Sequence, residues 1–368
     1  MISIEIIKNR LGITTLPSFC TYIVTWRCNC RCQMCNVWKK TKEEELTLEE
    51  IKNIFKQRKF DVIRITGGEP FLKEDLAQIT DIIQEYSKPT MIHITSNGIL
   101  TQRIINFFKS IKKTDNIHIK ISIDAVGEKH DKLRGTAGAY NSAIKTVEEL
   151  AKIKDRFNFY LAVNQIIIDK DGLKDHQQLK EICDRINVPI NLQLAYNYVA
   201  LYEERKNLNL MPQKSNDFPC LFNLSEKDIN EILDAFQKEI NNLKNWKEKL
   251  VLKYDLKGLR NRLVHNKGIP RPSCLALRSH LRILPNGDVP ICLANSTVVG
   301  NLKETTLKNL WFSDELRKYR EMVKKCPGCW YECEMVPSAI YSGDIFKALF
   351  YSNARENSFL QRRRMRER

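Results

Sequence analysis

The chain of 368 residues is long enough for a barrel-sized domain and a smaller second one, and its 43% hydrophobic and 28% charged content excludes a disordered or low-complexity protein. No apolar run reaches the roughly 20 residues of a membrane span, and the N-terminus lacks a signal-peptide pattern, so we expect a cytoplasmic protein. With 60 Lys and Arg against 44 Asp and Glu, the net charge of +16 favours anionic partners without identifying one.

The first half of the chain alternates short β-rich segments with helical patterns. Thr47 is a predicted helix N-cap, because Glu50 completes a capping box before an apolar helical stripe. Further helical patterns occur at 74–86, 101–112, 139–154 and 174–186. The β-rich segments lie at 21–26, 61–66, 91–96, 118–124, 159–168 and 190–195. Six strand–helix repeats predict an α/β fold, a partial, six-stranded, parallel βα barrel of the TIM type, which has eight strands when complete.

The pattern changes after about residue 197. An irregular stretch precedes helical patterns at 225–243 and 246–263, and a segment at 281–293 is typical of a β-hairpin that turns around Asn286 and Gly287. The C-terminus ends in a dense basic cluster at 361–368, either a solubilising tail or an electrostatic contact. We therefore expect a helical linker followed by a smaller α+β domain.

Twelve cysteines are many for a chain expected in the cytoplasm, where disulfides are disfavoured and clustered cysteines indicate metal binding or catalysis. Four lie within 28–35, three lie within 326–333, and Cys274 and Cys292 form a spaced pair. Isolated cysteines such as Cys183 and Cys220 are predicted to be buried thiols, with Cys220 also a candidate hydrogen donor or further ligand.

The first cysteine group directly follows the first predicted strand. Cys28, Cys32 and Cys35 have the spacing C-x3-C-x2-C, which can bind three corners of a 4Fe–4S cluster and leave one iron open. A structural zinc site or a ferredoxin-type cluster would need a fourth nearby ligand, for which Cys30 is the candidate. Its place inside the short loop makes Cys30 a poor fourth ligand.

Glycine and polar residues follow the successive predicted strands. They are Gly67, Gly68, Glu69 and Pro70 after the second strand, Ser96 and Asn97 at the end of the third, Ser122 and Asp124 at the end of the fourth, Arg134 in a following segment and Asn164 on the fifth. Each alone is more typical of a turn, a strand end or a surface charge. Because the C-terminal ends of parallel strands meet at the edge where barrel active sites lie, their order predicts one cofactor site.

This order and the cysteine spacing together resemble the radical S-adenosylmethionine (radical SAM) superfamily, over residues 20 to about 197. The resemblance implies that S-adenosylmethionine (SAM) binds the open iron and is cleaved to a 5′-deoxyadenosyl radical, which abstracts hydrogen from a substrate. It also implies that the turn at 67–70 lies near the amino group of SAM, that Ser122 and Asp124 bind its ribose, and that Arg134 binds its carboxylate. It identifies no catalytic side chain. The family usually has an aromatic residue beside the third cysteine, whereas here Trp38 follows three residues later.

The second cysteine group comprises Cys274, Cys292, Cys326, Cys329 and Cys333. A structural zinc ribbon would fit its C-x2-C spacing almost as well as an iron–sulfur cluster. Beside the first group, it resembles the SPASM domain of radical SAM enzymes and the shortened twitch form. Because the full SPASM pattern has seven cysteines, the resemblance implies one auxiliary cluster, held by Cys274, Cys292, Cys326 and Cys329, with Cys333 able to replace one of them.

The predicted protein is a radical SAM enzyme that functionalises a C–H bond of a peptide, protein, sugar or other metabolite, with an electron donor such as ferredoxin or flavodoxin. A peptide, a protein or an acidic metabolite is the expected partner on the substrate side. Its expected parts are an N-terminal segment 1–19, a radical SAM core 20–197, a helical linker 198–266, an auxiliary-cluster domain 267–340 and a basic helix or tail 341–368. So few residues precede the first strand that a peptide substrate is expected to bind directly or through a partner. The alternative is a non-catalytic iron–sulfur electron carrier or a redox sensor that binds nucleic acid, which predicts a fourth ligand at the first cluster.

Overall fold

The computed structural model describes residues 2–40, 44–195, 224–243, 245–326 and 328–350. Cys220, much of the expected linker and the basic cluster at 361–368 lie outside the described residues. Among the helices that are described, none is long and apolar enough to cross a membrane.

Seven parallel strands form an open sheet in the order β6-β5-β4-β3-β2-β1-β7. They are β1 Phe19–Thr25, β2 Val62–Gly67, β3 Met91–Ser96, β4 Ile117–Ser122, β5 Tyr160–Ile167, β6 Ile190–Leu194 and β7 His280–Ile283. The first six agree with the sequence prediction to within two residues at every end, and the α/β class with an unclosed barrel is confirmed. The seventh strand comes from the C-terminal part of the chain and pairs with β1.

Helices connect the strands and continue into the C-terminal part. They are α1 Ile2–Arg10, α2 Leu48–Phe55, α3 Leu76–Tyr86, α4 Thr101–Ser110, α5 Glu128–Arg134, α6 Ala139–Phe157, α7 Gly172–Arg185, α8 Glu226–Asn242, α9 Trp246–Leu263, α10 Leu307–Trp311, α11 Asp314–Lys324 and α12 Glu332–Ser342. Short 3-10 helices lie at Val37–Lys39, Pro70–Leu72 and Asp344–Phe350. The capping box of Thr47 and Glu50 at α2 is confirmed. The sequence analysis missed α1 and α5, which have seven to nine residues and depend on tertiary packing.

The predicted hairpin at 281–293 is wrong as a strand pairing, although the turn is present. Leu284 N donates to the Asp288 carbonyl at 2.8 Å, and Gly287 has a φ of 91°, which favours glycine. However, β7 joins the parallel sheet, whereas β8 Asp288–Cys292 pairs antiparallel with β9 Asn295–Asn301. A four-residue strand gains more from adding its hydrogen bonds to the exposed edge of β1 than from an isolated hairpin, which is marginal in water.

Side chains along each strand alternate between the covering helices and the barrel interior. In β3, Ile92 and Ile94 are fully buried in the main apolar core, whereas His93 and Thr95 line a cavity inside the sheet. This is the period-two alternation of strand side chains. The core therefore lies between sheet and helices, and the concave face of the sheet is left to polar residues.

Candidate active site

The loop after β1 places its cysteines on the wall of a cavity of about 930 Å³ within the open barrel. Cys28, Cys30, Cys32 and Cys35 all line this cavity. So do several predicted cofactor residues: Gly67, Gly68, Ser96, Asn97, Ser122, Arg134 and Asn164. Glu69, Pro70 and Asp124 are not among the lining residues. The tertiary structure therefore brings the strand-end residues and the first cysteine group together at one place.

Cys30 lies between the two cysteines on either side of it. Hydrogen bonding from its thiol lowers the pKa of Cys28 and lowers the pKa of Cys32 to about 6, to which the nearby Arg134 guanidinium also contributes. Burial raises the pKa of Cys35 to about 12. Two of the three predicted ligands are thus polarised toward the thiolate form that iron binds.

Backbone hydrogen bonds fasten the cysteine loop to the C-terminal end of α5. Arg31 N donates to the Arg134 carbonyl at 2.8 Å, and Gln33 N donates to the Leu133 carbonyl at 3.0 Å. Gly135 makes this contact possible, since a Cβ there would lie 2.6 Å from the Arg31 carbonyl oxygen, and its φ of 60° is left-handed. The loop is therefore held in place by the chain itself.

The turn at 67–70 packs against the end of β1. Gly68 N donates to the Thr25 carbonyl and Glu69 N to the Arg27 carbonyl, both at 2.8 Å. A Cβ on Gly67 would lie 2.3 Å from the Thr25 oxygen, and one on Gly68 would lie 2.1 Å from the Arg27 oxygen. The missing side chains thus allow a close approach of two backbone segments of this chain.

The Glu69 carboxylate joins this turn to the end of β3. It accepts hydrogen bonds from Ser96 Oγ at 2.9 Å, Asn97 N at 2.7 Å and Phe71 N at 3.1 Å. Burial raises the pKa of Glu69 to about 7, although these three donors oppose the shift. Asn97 also donates to Asn29 Oδ1 at 2.7 Å, which connects the β3 end to the cysteine loop. Glu69 is therefore a positioning residue.

Asp124 and Arg134 form an ion pair with each other. Arg134 Nη2 lies 2.8 Å from Asp124 Oδ2, and the other Asp124 oxygen accepts from Ile166 N at 3.2 Å. Burial would lower the pKa of Arg134, but the charges of Asp124 and Cys32 raise it above its ordinary value. Arg134 Nε is buried without a hydrogen-bond partner among the described residues. The resemblance implies ribose contact for Asp124, and in the structure one oxygen of this carboxylate pairs with Arg134.

The remaining predicted polar residues have neighbours on the cavity wall. Asn164 Nδ2 donates to Gln193 Oε1 at 3.3 Å, and Trp38 Nε1 donates to the Cys32 carbonyl at 3.3 Å. His130, which sequence reasoning did not select, accepts at Nδ1 from Asp124 N at 3.1 Å, and burial lowers its pKa to about 3. Its position six residues after Asp124 was the only available signal.

The second cysteine group divides into four cysteines and one. Burial raises the pKa of Cys274, Cys292, Cys326 and Cys329, and for three of these thiols a neighbouring cysteine of the same four adds to the shift. None of the four lines the cavity, whereas Cys333 does. Burial, with Glu334 beside it, raises the pKa of Cys333 to about 11. Cys333 thus differs from the other four in lining the cavity, while Cys329 and Cys333 pack against the same apolar cluster.

A buried glutamate connects the second cysteine group to the barrel. Glu334 pairs with Arg282 and with His280 Nδ1 at 3.0 Å, and it accepts from Leu293 N at 2.9 Å. His280 Nε2 in turn contacts Thr21 Oγ1 on β1 at 2.9 Å. Sequence reasoning missed Glu334, because its partners lie 41 to 54 positions away along the chain.

The residues present fit iron–sulfur clusters and SAM. Thiols are the ligands of such clusters, and Arg134, a residue of the cavity wall, has a buried Nε without a partner among the described residues, which an anionic group would satisfy. No three His, Cys, Asp or Glu side chains of the described residues are grouped so that they could hold a single metal ion. A cluster differs from a single ion, since each thiolate binds a different iron.

Comparisons with known proteins agree with this geometry. Residues 22–190 match the radical SAM superfamily, and residues 274–334 match SPASM, an iron–sulfur cluster-binding domain. A GTP 3′,8-cyclase of Alkaliphilus oremlandii is 36% identical over 110 residues, 28% of this chain and 33% of that protein. The Fe-coproporphyrin III synthase of Methanosarcina barkeri is 28% identical over 180 residues, 45% of this chain and 42% of that protein. This chain therefore spans less than half the length of these relatives.

Two solved structures share the fold. SuiB of Streptococcus suis, bound to S-adenosylmethionine, matches with a TM-score of 0.59 at 14% identity. The match covers 85% of this chain and 69% of the SuiB chain. The enzyme anSMEcpe, with bound SAM (AdoMet) and a peptide, matches with a TM-score of 0.56 at 13% identity. The match covers 91% of this chain and 96% of the anSMEcpe chain. Residues 22–190 are therefore a radical SAM domain, whose cofactors are a 4Fe–4S cluster and SAM, and residues 274–334 are a SPASM domain, which binds auxiliary iron–sulfur clusters.

Proposed function

We propose that this protein reductively cleaves SAM at a 4Fe–4S cluster held by Cys28, Cys32 and Cys35, and that the resulting 5′-deoxyadenosyl radical abstracts hydrogen from a C–H bond of a substrate in the cavity. The observation that carries the proposal is the position of the cysteine loop on the wall of a cavity of about 930 Å³, beside the unpartnered Arg134 Nε. An electron carrier would need neither the cavity nor this arginine.

The chain's own residues position SAM in this proposal. Arg134 binds the carboxylate of SAM, while Asp124 holds the guanidinium in place. Ser96 and Asn97 are fixed by Glu69. The turn at 67–70 and the polar groups of Ser122 and Asn164 complete the binding surface on the same wall.

The auxiliary cluster is assigned to Cys274, Cys292, Cys326 and Cys329. Their thiols influence one another's pKa, which supports a common site, whereas Cys333 faces the cavity. Both cysteine groups contact one small apolar cluster, which contains Ile23, Trp26, Val37, Leu284, Leu293 and Tyr331. This proximity supports electron transfer between the clusters, with an external donor such as ferredoxin or flavodoxin.

The proposal also covers the domain boundaries, the cellular compartment and the substrate class. The division into 20–197 and 267–340 is supported by the matched ranges 22–190 and 274–334. The free thiols of the eleven described cysteines suit a reducing compartment such as the cytoplasm. The relatives' names include enzymes acting on GTP and a structure with bound peptide, so substrate class has to come from this chain's own cavity.

The test is an anaerobic assay of 5′-deoxyadenosine. The reconstituted protein is reduced with dithionite and given SAM, and the product is measured by chromatography. We expect 5′-deoxyadenosine from the wild type and none from the Cys28→Ala/Cys32→Ala/Cys35→Ala variant. Absence of product from a wild type with an assembled first cluster whose spectrum does not respond to SAM would contradict the proposal.

Cys30→Ala is the matched control within the same loop. If Cys30 is not a ligand, this variant keeps the first cluster and the change in its electron paramagnetic resonance spectrum on SAM addition. Loss of the cluster in Cys30→Ala would instead show a fully ligated cluster, as the electron-carrier alternative predicts.

A further inference from the structure

The inner part of the cavity carries two cationic side chains and a histidine on three adjacent strands. Arg64 of β2, His93 of β3 and Lys120 of β4 all line it. In the sheet register Arg64 lies opposite His93, and His93 lies opposite His118. Lys120 follows His118 by two residues, which places both on the same face of β4. Lys120 itself lies opposite Thr95 and therefore diagonal to His93, and the three side chains form a patch on one wall of the cavity.

Arg64 and Lys120 are half-buried and, among the described residues, differ from the fully buried cations in having no acidic ion-pair partner. Arg134 and Arg282 are paired with Asp124 and Glu334. In the described part of the chain, by contrast, neither Arg64 nor Lys120 forms an ion pair.

The contacts that the patch does make leave it able to bind a ligand. Arg64 donates from Nη1 to the Cys333 carbonyl at 3.4 Å, and its guanidinium lies 5.3 Å from the Phe19 ring centroid. Within the described residues, His93 Nδ1 is buried without a hydrogen-bond partner. Burial lowers the pKa of Lys120, and the charges of Glu332 and Glu248, which also line the cavity, raise it. Glu332 itself accepts a hydrogen bond from Gln193.

Arg64 and Lys120 are half-buried on the cavity wall, where an anionic ligand group would form charge-assisted hydrogen bonds with them. We propose that the substrate carries an anionic group, phosphate or carboxylate, that binds Arg64 and Lys120 with His93 as a neutral hydrogen-bonding partner. This inference rests on the proposed function and gives its substrate class.

The position of the patch distinguishes this group from the carboxylate of SAM. Arg64 precedes Gly67 by three residues, so it lies roughly 10 Å farther into the barrel than the turn beside the cysteine loop. Arg134, which is assigned to SAM, lies instead at that loop, with Nη1 at 3.8 Å from Cys32 Sγ. The reacting part of the substrate then fits between the anionic group and SAM.

The test measures anion binding without turnover. Inorganic phosphate and succinate, both close to two negative charges at pH 8, are titrated calorimetrically into the anaerobically reconstituted protein at constant ionic strength. We expect at least one anion to bind, with affinity at least tenfold weaker in Arg64→Gln and Lys120→Met. Arg64→Lys keeps the charge and retains most of the affinity, which separates lost charge from misfolding. Tighter binding of phosphate indicates a substrate with a phosphate group, and tighter binding of succinate indicates a substrate with a carboxylate.

Lys227→Gln is the matched control, because its side chain is 84% exposed on α8 and the substitution removes the same charge. It should leave affinity unchanged. Binding of neither anion, or equal weakening by Lys227→Gln, overturns the inference. A protein that cleaves SAM but binds no anion contradicts only this inference, whereas one that binds an anion through Arg64 and Lys120 but does not cleave SAM contradicts the proposed function.

Discussion

Gly258→Ala is predicted to disturb the packing of the second cysteine group, although Gly258 lies on α9, which contains no cysteine. Trp330, which directly follows Cys329, is fully buried against Gly258 of α9, and its Nε1 donates to Asp255 at 2.8 Å. The Arg262 guanidinium covers the ring at 3.8 Å. A Cβ on Gly258 would lie 1.8 Å from Trp330 Cζ2, so the indole must move.

The expected loss of stability follows from three contributions. Overpacking costs about 1–3 kcal/mol. Separating the indole from Asp255 leaves a buried group unsatisfied, at about 1–3 kcal/mol. The better helix propensity of alanine returns about 1 kcal/mol. The net destabilisation is therefore about 3 kcal/mol, and displacement of Trp330 should also remove about four irons per chain from the adjacent cluster.

Anaerobic urea denaturation and iron analysis measure both effects. Gly268→Ala is the matched control, since a Cβ there meets nothing within 4 Å, and it should change neither stability nor iron content. In a Trp330→Phe background, Gly258→Ala should cost less than about 1 kcal/mol, because the ring atoms it meets are absent. An equal cost in both backgrounds, or wild-type stability of Gly258→Ala, would refute the reasoning.

Three further predictions concern individual side chains. Burial raises the folded-state pKa of Glu69 to about 7, above its unfolded value. The contribution of Glu69 to the free energy of unfolding is therefore largest below about pH 4.5 and falls by about 3 kcal/mol in all as pH rises through 7. Between pH 5 and 8 the urea midpoint should fall less steeply with pH in Glu69→Gln than in the wild type, and an unchanged slope would show that another group titrates. Arg134→Lys should weaken SAM binding at least tenfold in equilibrium dialysis, because lysine cannot reproduce the planar guanidinium that holds Asp124 while binding an anion; unchanged affinity would remove Arg134 from the site. Cys329→Ala should lose about four irons per chain and Cys333→Ala none, so iron loss in Cys333→Ala would place that thiol among the ligands.

The local sequence determined most of the parallel sheet and the identity of the first site. Buried strands of β-branched residues between amphipathic helices are local patterns, and all six predicted strands were found. The C-x3-C-x2-C spacing is likewise local, because Cys28, Cys32 and Cys35 all belong to one short loop. Residues at strand ends could be grouped in advance, since parallel strands end at a common edge.

Contacts between distant parts of the chain required the tertiary structure. Addition of β7 to β1, the pairing of Asp124 with Arg134 and the commitment of Glu69 to Ser96 and Asn97 depend on where separate elements meet.

The same limit applies to Cys333 and to the cationic patch. Cys333, four residues after Cys329, has the spacing of a ligand, and only the tertiary structure shows that it lines the cavity. Arg64, His93 and Lys120 each look like an ordinary polar position in an alternating strand. They form one patch because register aligns β2, β3 and β4 around an enclosed space, a relation between strands that no single segment encodes.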